Sequence, residues 1–277
     1  MFPQARERGK QMKKRNIALL SVCALLLALP SFGQKMQTVR GEGRYVSQNL
    51  EKLPAFNAVD VRGDAEVDFT QQPGSSVTVS GRENLVALAD VRVEDGVLVV
   101  GFTRPVHIRG EHHLRVAVAA PELRSVTLSQ GGDFEVHGML KTADLTISAT
   151  QDSEFSADFV QASAVSATAS GRAEIDLGRL EADRVRAAAS DRADIDLSGK
   201  AREAFVENNG SGEIDADDLR ADTVHAYVNG SGDVKVYASN LLHAVANGRG
   251  KIEYKGNPMT LNREGSAKKI IRDRDYD

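Results

Sequence analysis

Apolar and polar residues alternate in short segments that recur about every twenty residues through the second half of the chain. In 173–177 and again in 193–197, a β-strand would place the apolar side chains on one face and two carboxylates on the other. The recurring marker positions are 133, 154, 174, 194, 213, 233 and 251. Because such units are too short for helical repeats, the spacing predicts one coil of β-structure, here called a rung, per unit.

A second alternating segment precedes each marker and is rich in alanine. Its apolar residues are Leu145, Ile147 and Ala149, then Val165, Ala167 and Ala169, then Val185, Ala187 and Ala189, then Val224, Ala226 and Val228, and finally Leu242, Ala244 and Ala246. Such small inward side chains reach normal packing density only where facing walls lie close together. We therefore predict a narrow or flattened coil at these segments.

A short polar step joins the two segments of each unit. The steps are Ser170-Gly171, Ser190-Asp191, Asn209-Gly210, Asn229-Gly230 and Asn247-Gly248. Glycine, asparagine and aspartate tolerate the left-handed backbone of a tight corner. The stacked Ser and Asn side chains have two interpretations: a hydrogen-bonded ladder along the solenoid axis, or corner residues without further contacts.

Residues 34–118 are rich in strand patterns but do not keep the period. Residues 56–69 match the later unit and predict a first rung, while 91–100 alternate around Asp95-Gly96 as a β-hairpin does. Because a solenoid end exposes unpaired strand edges, we predict that 34–118 form a cap and first rung. Solenoid repeats are predicted over 119–256 and a partly disordered tail over 257–277.

Residues 1–33 have the features of a secretory signal peptide. Three basic residues at 13–15 precede an apolar run, Ile17 to Leu29, that is too short to span a bilayer. Small residues at 31 and 33 predict cleavage before Gln34. The cleaved chain would then be exported to the periplasm, the outer membrane or the medium, without a membrane span. Cys23, the one cysteine, is removed, so no disulfide is predicted.

Cleavage makes the chain more acidic. Of 35 basic and 39 acidic residues, the leader holds six and one, which leaves 29 and 38 and a net charge of −9. This balance argues against nucleic acid or an anionic membrane as a partner. Because the chain has no Trp and few other aromatic residues, a mainly aliphatic core is expected.

Several short motifs follow one another in a characteristic order. They are Phe56-Asn57-Ala58-Val59-Asp60-Val61-Arg62-Gly63, Val77-Thr78-Val79-Ser80-Gly81, Val91-Arg92-Val93-Glu94-Asp95-Gly96-Val97-Leu98, Val118-Ala119-Ala120-Pro121-Glu122-Leu123 and the later Ser/Asn-Gly-Ser/Arg-Gly/Ala-Asp/Glu units. Together they resemble the DUF2807 family, labelled putative auto-transporter adhesin, head GIN domain, over about 44–255. The resemblance implies a right-handed parallel β-helix in secreted or envelope proteins, common in Bacteroidetes.

The handedness that the resemblance implies agrees with the general rule for parallel crossover connections. The fold class predicted is therefore all-β: a right-handed parallel β-helix of about twenty residues per turn with an N-terminal β-rich cap. At Gln151 and Asp191 the sequence lacks the turn glycine of the other units. A looser corner is expected at both places.

The acidic markers form the candidate binding site. Asp133, Glu154, Glu174, Asp194, Glu213 and Asp233 are expected to stack about 5 Å apart, the distance between neighbouring strands. Like charges at that distance disfavour one another unless water, a cation or nearby arginines intervene, and Arg172, Arg192 and Arg249 recur beside them. The row has two interpretations, a solvated acidic face or a Ca²⁺ site. The spacing lacks the nine-residue period of calcium-binding β-rolls, and no cofactor or metal is predicted.

Three further motifs have simple structural interpretations beside functional ones. Arg62-Gly63-Asp64 is an integrin-type tripeptide that coincides with the turn of a rung. His107, Glu111, His112 and His113 form either a polar cap loop or a metal site. Asn209-Gly210-Ser211 and Asn229-Gly230-Ser231 fit the N-glycosylation pattern but are already explained as corners.

The units are nearly equal in length, which leaves little wall for a catalytic cleft. We therefore predict a non-enzymatic, exported β-helix protein of the bacterial cell envelope, a binding or adhesion-type module for an unknown protein or glycan. One alternative is a carbohydrate-binding or carbohydrate-active β-helix protein. Another is a structural or assembly unit of the envelope that self-associates through its ends or faces.

Overall fold

The alternating segments become stacked parallel strands in the computed structural model, which describes residues 37–110 and 113–273. The described chain is a β-solenoid of about seven turns with about 20 residues per turn, which confirms the predicted β-helix class. The predicted signal peptide lies outside the described residues. Within them, no helix is both long and apolar enough to cross a membrane.

Most of the described chain lies in strands. They are β1 (Gln37–Val39), β2 (Tyr45–Asn49), β3 (Ala58–Arg62), β4 (Ala65–Gln71), β5 (Ser76–Arg82), β6 (Ala89–Glu94), β7 (Val97–Phe102), β8 (Val106–Ile108), β9 (Leu114–Ala120), β10 (Ser125–Ser129), β11 (Asp133–Lys141), β12 (Asp144–Gln151), β13 (Glu154–Gly171), β14 (Glu174–Ala189), β15 (Asp194–Asn208), β16 (Ile214–Val228), β17 (Val234–Ala246), β18 (Ile252–Lys255), β19 (Thr260–Gly265) and β20 (Ile270–Arg272). The helical elements are α1 (Glu83–Val86) and a 3-10 turn (Ala267–Lys269).

Two columns of parallel strands form the main walls. The marker wall contains β9, β4, β11, the first halves of β13 to β17, β18 and β20. The alanine wall contains β7, β3, β10, β12, the second halves of β13 to β17, and β19. Each long strand β13 to β17 thus contributes to both walls.

The N-terminal rung is not at the end of the stack. Strands β3 and β4 lie between β7 and β9 on one side and β10 and β11 on the other. Antiparallel β6 covers the edge of β7, and antiparallel β5 covers the edge of β9. The predicted hairpin is confirmed, with Asp95 at φ 50° and Gly96 at φ 80°. These antiparallel strands pair edges that would otherwise stay open.

The inward orientation of the alanine wall is confirmed, while the narrowness of the coil there stays a prediction. All fifteen inward residues of that segment named above are buried. The core is mainly aliphatic. Its aromatic residues include Phe69, Phe134 and Phe155, whose rings stack with centroids 6.0 and 5.6 Å apart, and the buried side chains of Phe56 and Tyr254. All three stacked rings are inward side chains of the marker wall.

The corners are of two kinds. The prediction that corner residues adopt a left-handed backbone holds for only one of them. Gln151, Gly171 and Asp191 adopt the predicted left-handed backbone, with φ of 67°, 79° and 58°. The departures from glycine at Gln151 and Asp191 therefore keep the corner conformation rather than abandon it. Ser153 is buried beside the first of them and donates to the Thr150 carbonyl at 2.8 Å.

The later corners need glycine for a different reason. Gly210, Gly230 and Gly248 do not have a left-handed φ, so that part of the prediction is wrong. A Cβ at Gly230 would lie 1.9 Å from the carbonyl oxygen of Gly210, and one at Gly248 would lie 1.9 Å from that of Gly230. Close stacking of successive rungs, not backbone handedness, excludes a side chain here.

The asparagine ladder is present at these same corners. The Asn229 amide donates to Oδ1 of Asn209 at 2.9 Å, and the Asn247 amide donates to Oδ1 of Asn229 at 3.3 Å. Behind it, Asn208 is fully buried and donates to the Gly212 carbonyl at 2.8 Å. Its Oδ1 accepts from the Gly210 backbone at 2.9 Å. Asparagine side chains therefore form hydrogen bonds on both the outer and the inner side of the corner.

The segment predicted as a tail instead continues the stack as far as Arg272. Strand β19 pairs in parallel with β17, and β20 pairs in parallel with β18. This rung has Gly265 at its corner, with a φ of 84°, but it lacks the Asn-Gly step and the acidic marker of earlier units, so the repeat pattern does not reveal it. Backbone pairing with the preceding rung supplies the order that the local sequence does not encode.

Candidate functional site

The six predicted acidic residues lie in one row on the outer side of the marker wall. Asp133, Glu154, Glu174 and Asp194 are direct partners in register on neighbouring strands. The row continues through Glu213, whose backbone N–H donates to Oδ1 of Asp194 at 2.6 Å. It ends at Asp233, whose Oδ1 accepts from the Lys251 backbone at 2.8 Å. Ligand binding by this row stays a prediction.

A second acidic row runs beside the first, one pleat further along each strand. Its members are Asp68, Glu135, Asp176, Asp196 and Asp215, with Ser156 between the second and third. The alternating sequence indicated two carboxylates per strand, but the predicted site contained only the first. The marker wall therefore presents a two-row acidic face.

Cations neutralise the ends of this face and not its centre. Near the N-terminal end, Arg115 contacts Glu66 at 2.6 Å and Asp68 at 3.5 Å. Near the other end, Lys235 contacts Glu213 at 2.7 Å and Asp215 at 3.0 Å. Between these ends, Glu135 contacts His137. The other carboxylates of both rows in this stretch form no ion pair within the described rungs; they are Asp133, Glu154, Glu174, Asp176, Asp194 and Asp196.

The neighbouring arginines do not neutralise the centre either. Arg172 pairs with Asp152 at the corner rather than with a marker residue. Calcium favours six to eight oxygen ligands that surround the ion, whereas these carboxylates project from one flat wall. This arrangement fits the interpretation as a solvated acidic face, which stays a prediction.

The central carboxyl groups have raised pKa values. Partial loss of hydration, followed by repulsion from Glu154, raises the pKa of Asp133 to about 6. Loss of hydration and repulsion from carboxylates on adjacent rungs raise the pKa of Asp196 to about 6. The same causes raise the pKa of Glu174 and Asp176. All four side chains are exposed, so solvent screens the repulsion between them.

Replacing Asp133 and Asp196 together with asparagine is expected to stabilise the protein at pH 7.5 and to have little effect at pH 3. Because each folded-state pKa lies above the ordinary 3.8, the folded state holds more protons than the unfolded state between about pH 4 and 6. Protonation of these groups therefore stabilises the folded state, fully so below that window, where the neutral acids resemble asparagine. This contribution is lost as the pH rises through the window and the carboxylates ionise. Urea unfolding midpoints measured from pH 3 to 8 check this result.

Asp152→Asn is the matched control with the opposite sign. The hydrogen bond from Arg172 lowers the pKa of Asp152, so this carboxylate favours folding at neutral pH and loses that effect on acidification. The control should therefore lower the midpoint at pH 7.5 and leave it unchanged at pH 3. If both variants shift the midpoint in the same direction at pH 7.5, the assignment of the pH dependence to the acidic face is wrong.

One cluster on the acidic face has the residue types of a metal site. His137 contacts Asp68 at 2.9 Å through Nε2 and Glu135 at 3.4 Å through Nδ1. The hydrogen bond to Asp68 raises the pKa of His137, which favours the imidazolium form. The contacts are those of ion pairs, and the same three side chains hold their ligand atoms within 4.8 Å of one another.

The other motifs of the N-terminal region lie on structural contacts. Gly63 has a φ of 95° at a turn, and Asp64 accepts from the Ile108 backbone at 2.6 Å and contacts Nδ1 of His107 at 3.0 Å. The aspartate of the integrin-type tripeptide therefore stabilises the cap. Two further residues of the histidine loop, Glu111 and His112, lie outside the described residues, so its two interpretations, a polar cap loop or a metal site, stay untested.

A groove that the sequence analysis did not identify lies on the outer side of the alanine wall. Thr146, Ser166, Arg186 and Phe205 are successive partners in register on β12 to β15. The two small side chains leave a depression of about 410 Å³ that is also lined by Arg184. We call it the arginine groove. In the sequence, the groove is indicated by equivalent outward positions of successive units, which change from Thr and Ser to Arg and Phe.

An aromatic cluster continues the wall beyond the arginine groove. The Phe205 ring lies 5.0 Å from that of Tyr227, and Tyr227 lies 5.9 Å from His243. His225 lies 5.8 Å from His243. On the groove side, the Arg186 guanidinium lies over Phe205, 4.3 Å from the ring centroid. The cluster therefore supports one wall of the groove.

Comparison with solved structures finds proteins of similar fold. A structure described as a putative lipid binding protein from Parabacteroides distasonis ATCC 8503 has a TM-score of 0.75 and 20% identity, and covers 86% of this chain and 100% of its own. A putative adhesin from the same strain has a TM-score of 0.75 and 23% identity over 85% and 99%. A putative adhesin from Parabacteroides merdae ATCC 43184 has a TM-score of 0.76 and 22% identity over 86% and 100%.

At these identities the likeness to solved structures shows the fold alone. No curated protein matches the chain significantly. The family model described as putative auto-transporter adhesin, head GIN domain, matches residues 55–258, which is more than half of the chain. With the solenoid architecture, this match establishes the family: the chain belongs to the DUF2807 family, the head GIN domain of putative auto-transporter adhesins.

Proposed function

We propose that this chain is an exported, non-enzymatic binding module of the bacterial cell envelope, with an adhesin-like role. The observation that carries the proposal is the form of the two outer walls. Strands of nearly equal length stack in register, and their outward polar side chains stay accessible along the acidic face and the arginine groove. Long regular walls of this kind suit recognition of an extended partner, and family membership supports the same class of function.

The spacing of charged groups at the arginine groove favours binding over glycoside hydrolysis. Its two carboxylates, Asp144 and Glu203, are separated in register by Ala164 and Arg184. Three strand spacings place them about 14 Å apart. The carboxyl pairs of glycoside hydrolases lie about 5 to 9.5 Å apart, so this groove does not match either catalytic geometry.

The proposal is tested with protein expressed from the full chain and recovered from the envelope and the medium. Mass spectrometry of its N-terminus is expected to give a chain that begins at Gln34, since signal peptidase removes a secretory leader during export. The recovered protein is then applied to an array of glycans and extracellular matrix proteins, where we expect binding without release of cleavage products. The proposal is contradicted if the protein stays in the cytoplasm with residues 1–33 still attached. It is also contradicted if the protein turns over any glycan of the array.

A further inference from the structure

The arginine groove contains two cationic groups, Arg184 and Arg186, that carboxylates of the described fold neutralise only weakly. Arg184 forms no ion pair with any residue in the described ranges, and Arg186 has only a long contact of 3.6 Å to Glu207. The Arg186 side chain is 55% exposed. The two arginines are outward neighbours on one strand, so both guanidinium groups border the same depression.

Aromatic packing holds one of these cations in position. Arg186 lies over the face of Phe205, whose other neighbours in the wall are Tyr227 and His225. A stacked guanidinium keeps its N–H groups free at the edges and loses less side-chain freedom when it binds an anion. Phe205 therefore acts as a positioning residue for Arg186.

The rest of the groove is suited to a ligand with many hydroxyl groups. Thr146 and Ser166 form the floor, and each hydroxyl both donates and accepts hydrogen bonds. Asp144 and Glu203 border the ends and can accept from ligand hydroxyls.

We propose that the arginine groove binds a carboxylate-bearing sugar of a glycan. The sugar carboxylate pairs with Arg184 and Arg186, and its hydroxyl groups bond to Thr146 and Ser166. A depression of about 410 Å³ is within the range of small-ligand sites. This inference rests on the proposed binding function and specifies the ligand class of one surface.

The charge of the whole protein favours a localised anion over an anionic membrane. The net charge after removal of residues 1–33 is −9, from 29 basic and 38 acidic residues. A membrane would approach a wide area that includes acidic groups, whereas one carboxylate can contact the two arginines alone. A sugar acid thus uses the local positive charge without opposing the overall negative charge.

The test measures binding of trigalacturonate and 3′-sialyllactose to the protein by isothermal titration, with trigalactose and lactose as neutral counterparts. We expect both acidic sugars to bind more tightly than the neutral ones, with affinity that falls as salt is added. Arg184→Ala/Arg186→Ala should weaken binding of the acidic sugars at least tenfold. Ser166→Tyr fills the floor without a change of charge and should weaken it as well.

Arg172→Ala/Arg192→Ala is the matched control, because it removes two arginines from the corner of the solenoid instead. It should leave the affinity for acidic sugars unchanged. Thermal melting of each variant separates loss of binding from loss of folding: at the groove positions the side chains are outward and the melting temperature should stay the same. An acidic-sugar affinity that is equal in wild type and the Arg184/Arg186 variant overturns the inference.

Further outcomes separate this inference from the function on which it rests. Binding to neutral glycans or matrix proteins, with no affinity for acidic sugars, overturns the ligand class and leaves the binding module intact. Absence of binding to every array component and to both acidic sugars overturns both. The last measurement tests binding of the protein to vesicles of phosphatidylcholine with phosphatidylglycerol. Vesicle binding that needs Arg184 and Arg186, without binding of acidic sugars, assigns the groove to lipid and overturns the inference.

Discussion

Gly232→Ala is expected to lower the free energy of unfolding by about 3 kcal/mol or more. A Cβ at this position would lie 1.8 Å from the carbonyl oxygen of Gly212 on the preceding rung. Backbone on one rung must then move away from the other, which disturbs the hydrogen bonds of both. Gly250 continues the same column, since its Cβ would lie 1.9 Å from the Gly232 carbonyl oxygen. Urea unfolding at pH 7.5, followed by circular dichroism, measures the loss.

Gly138→Ala is the control for the loss of glycine without a clash. Gly138 has a φ of 81°, and no atom lies within 4 Å of the position its Cβ would occupy. Its expected cost is the left-handed strain of alanine alone, about 1 to 2 kcal/mol. If Gly232→Ala costs no more than Gly138→Ala, close approach of the rungs is not what selects glycine at the later corners.

Phe134→Ala is expected to cost about 3 to 5 kcal/mol, the range for truncation of a buried phenylalanine. The Phe134 ring lies between those of Phe69 and Phe155 and is 2% exposed. Removal leaves a cavity that both flanking rings border, and the paired strands around it limit collapse. The loss is a large fraction of the 5 to 15 kcal/mol typical of folded domains. Urea unfolding again gives the measurement.

Phe102→Ala is the matched truncation at a half-buried site. Phe102 borders the core but remains partly accessible, so its loss should cost clearly less. Similar losses for the two variants would show that the three-ring stack contributes nothing beyond ordinary contact with the core.

The acidic row illustrates how far the repeat spacing predicts a site. The spacing alone placed Asp133, Glu154, Glu174 and Asp194 next to one another, because residues one turn apart in a parallel solenoid must be neighbours. The sequence did not show that Lys235 and Arg115 neutralise only the ends of the acidic face. Which long side chain reaches which carboxylate depends on the three-dimensional spacing of rungs and on rotamers.

The arginine groove could not be predicted in the same way. In the sequence, its outward positions form only the polar half of an alternating pattern, because a single strand does not reveal what lies beside it. The depression exists because Ser166 and Thr146 adjoin Arg186 and Phe205 across strands. A change in pairing register by one residue would have turned these side chains to the interior.

The sequence by itself determined the coil. Alternation determined which side chains face inward. The period of about twenty residues determined which residues are neighbours on successive rungs. The loss of the period near the N-terminus indicated a cap. Tertiary structure decided the rest: the position of β3 and β4 inside the stack, the added rung as far as Arg272, and the reason for the later glycines. These features arise from contacts between rungs at close range. A pattern within one rung records which face a residue takes, but not how near the next backbone lies.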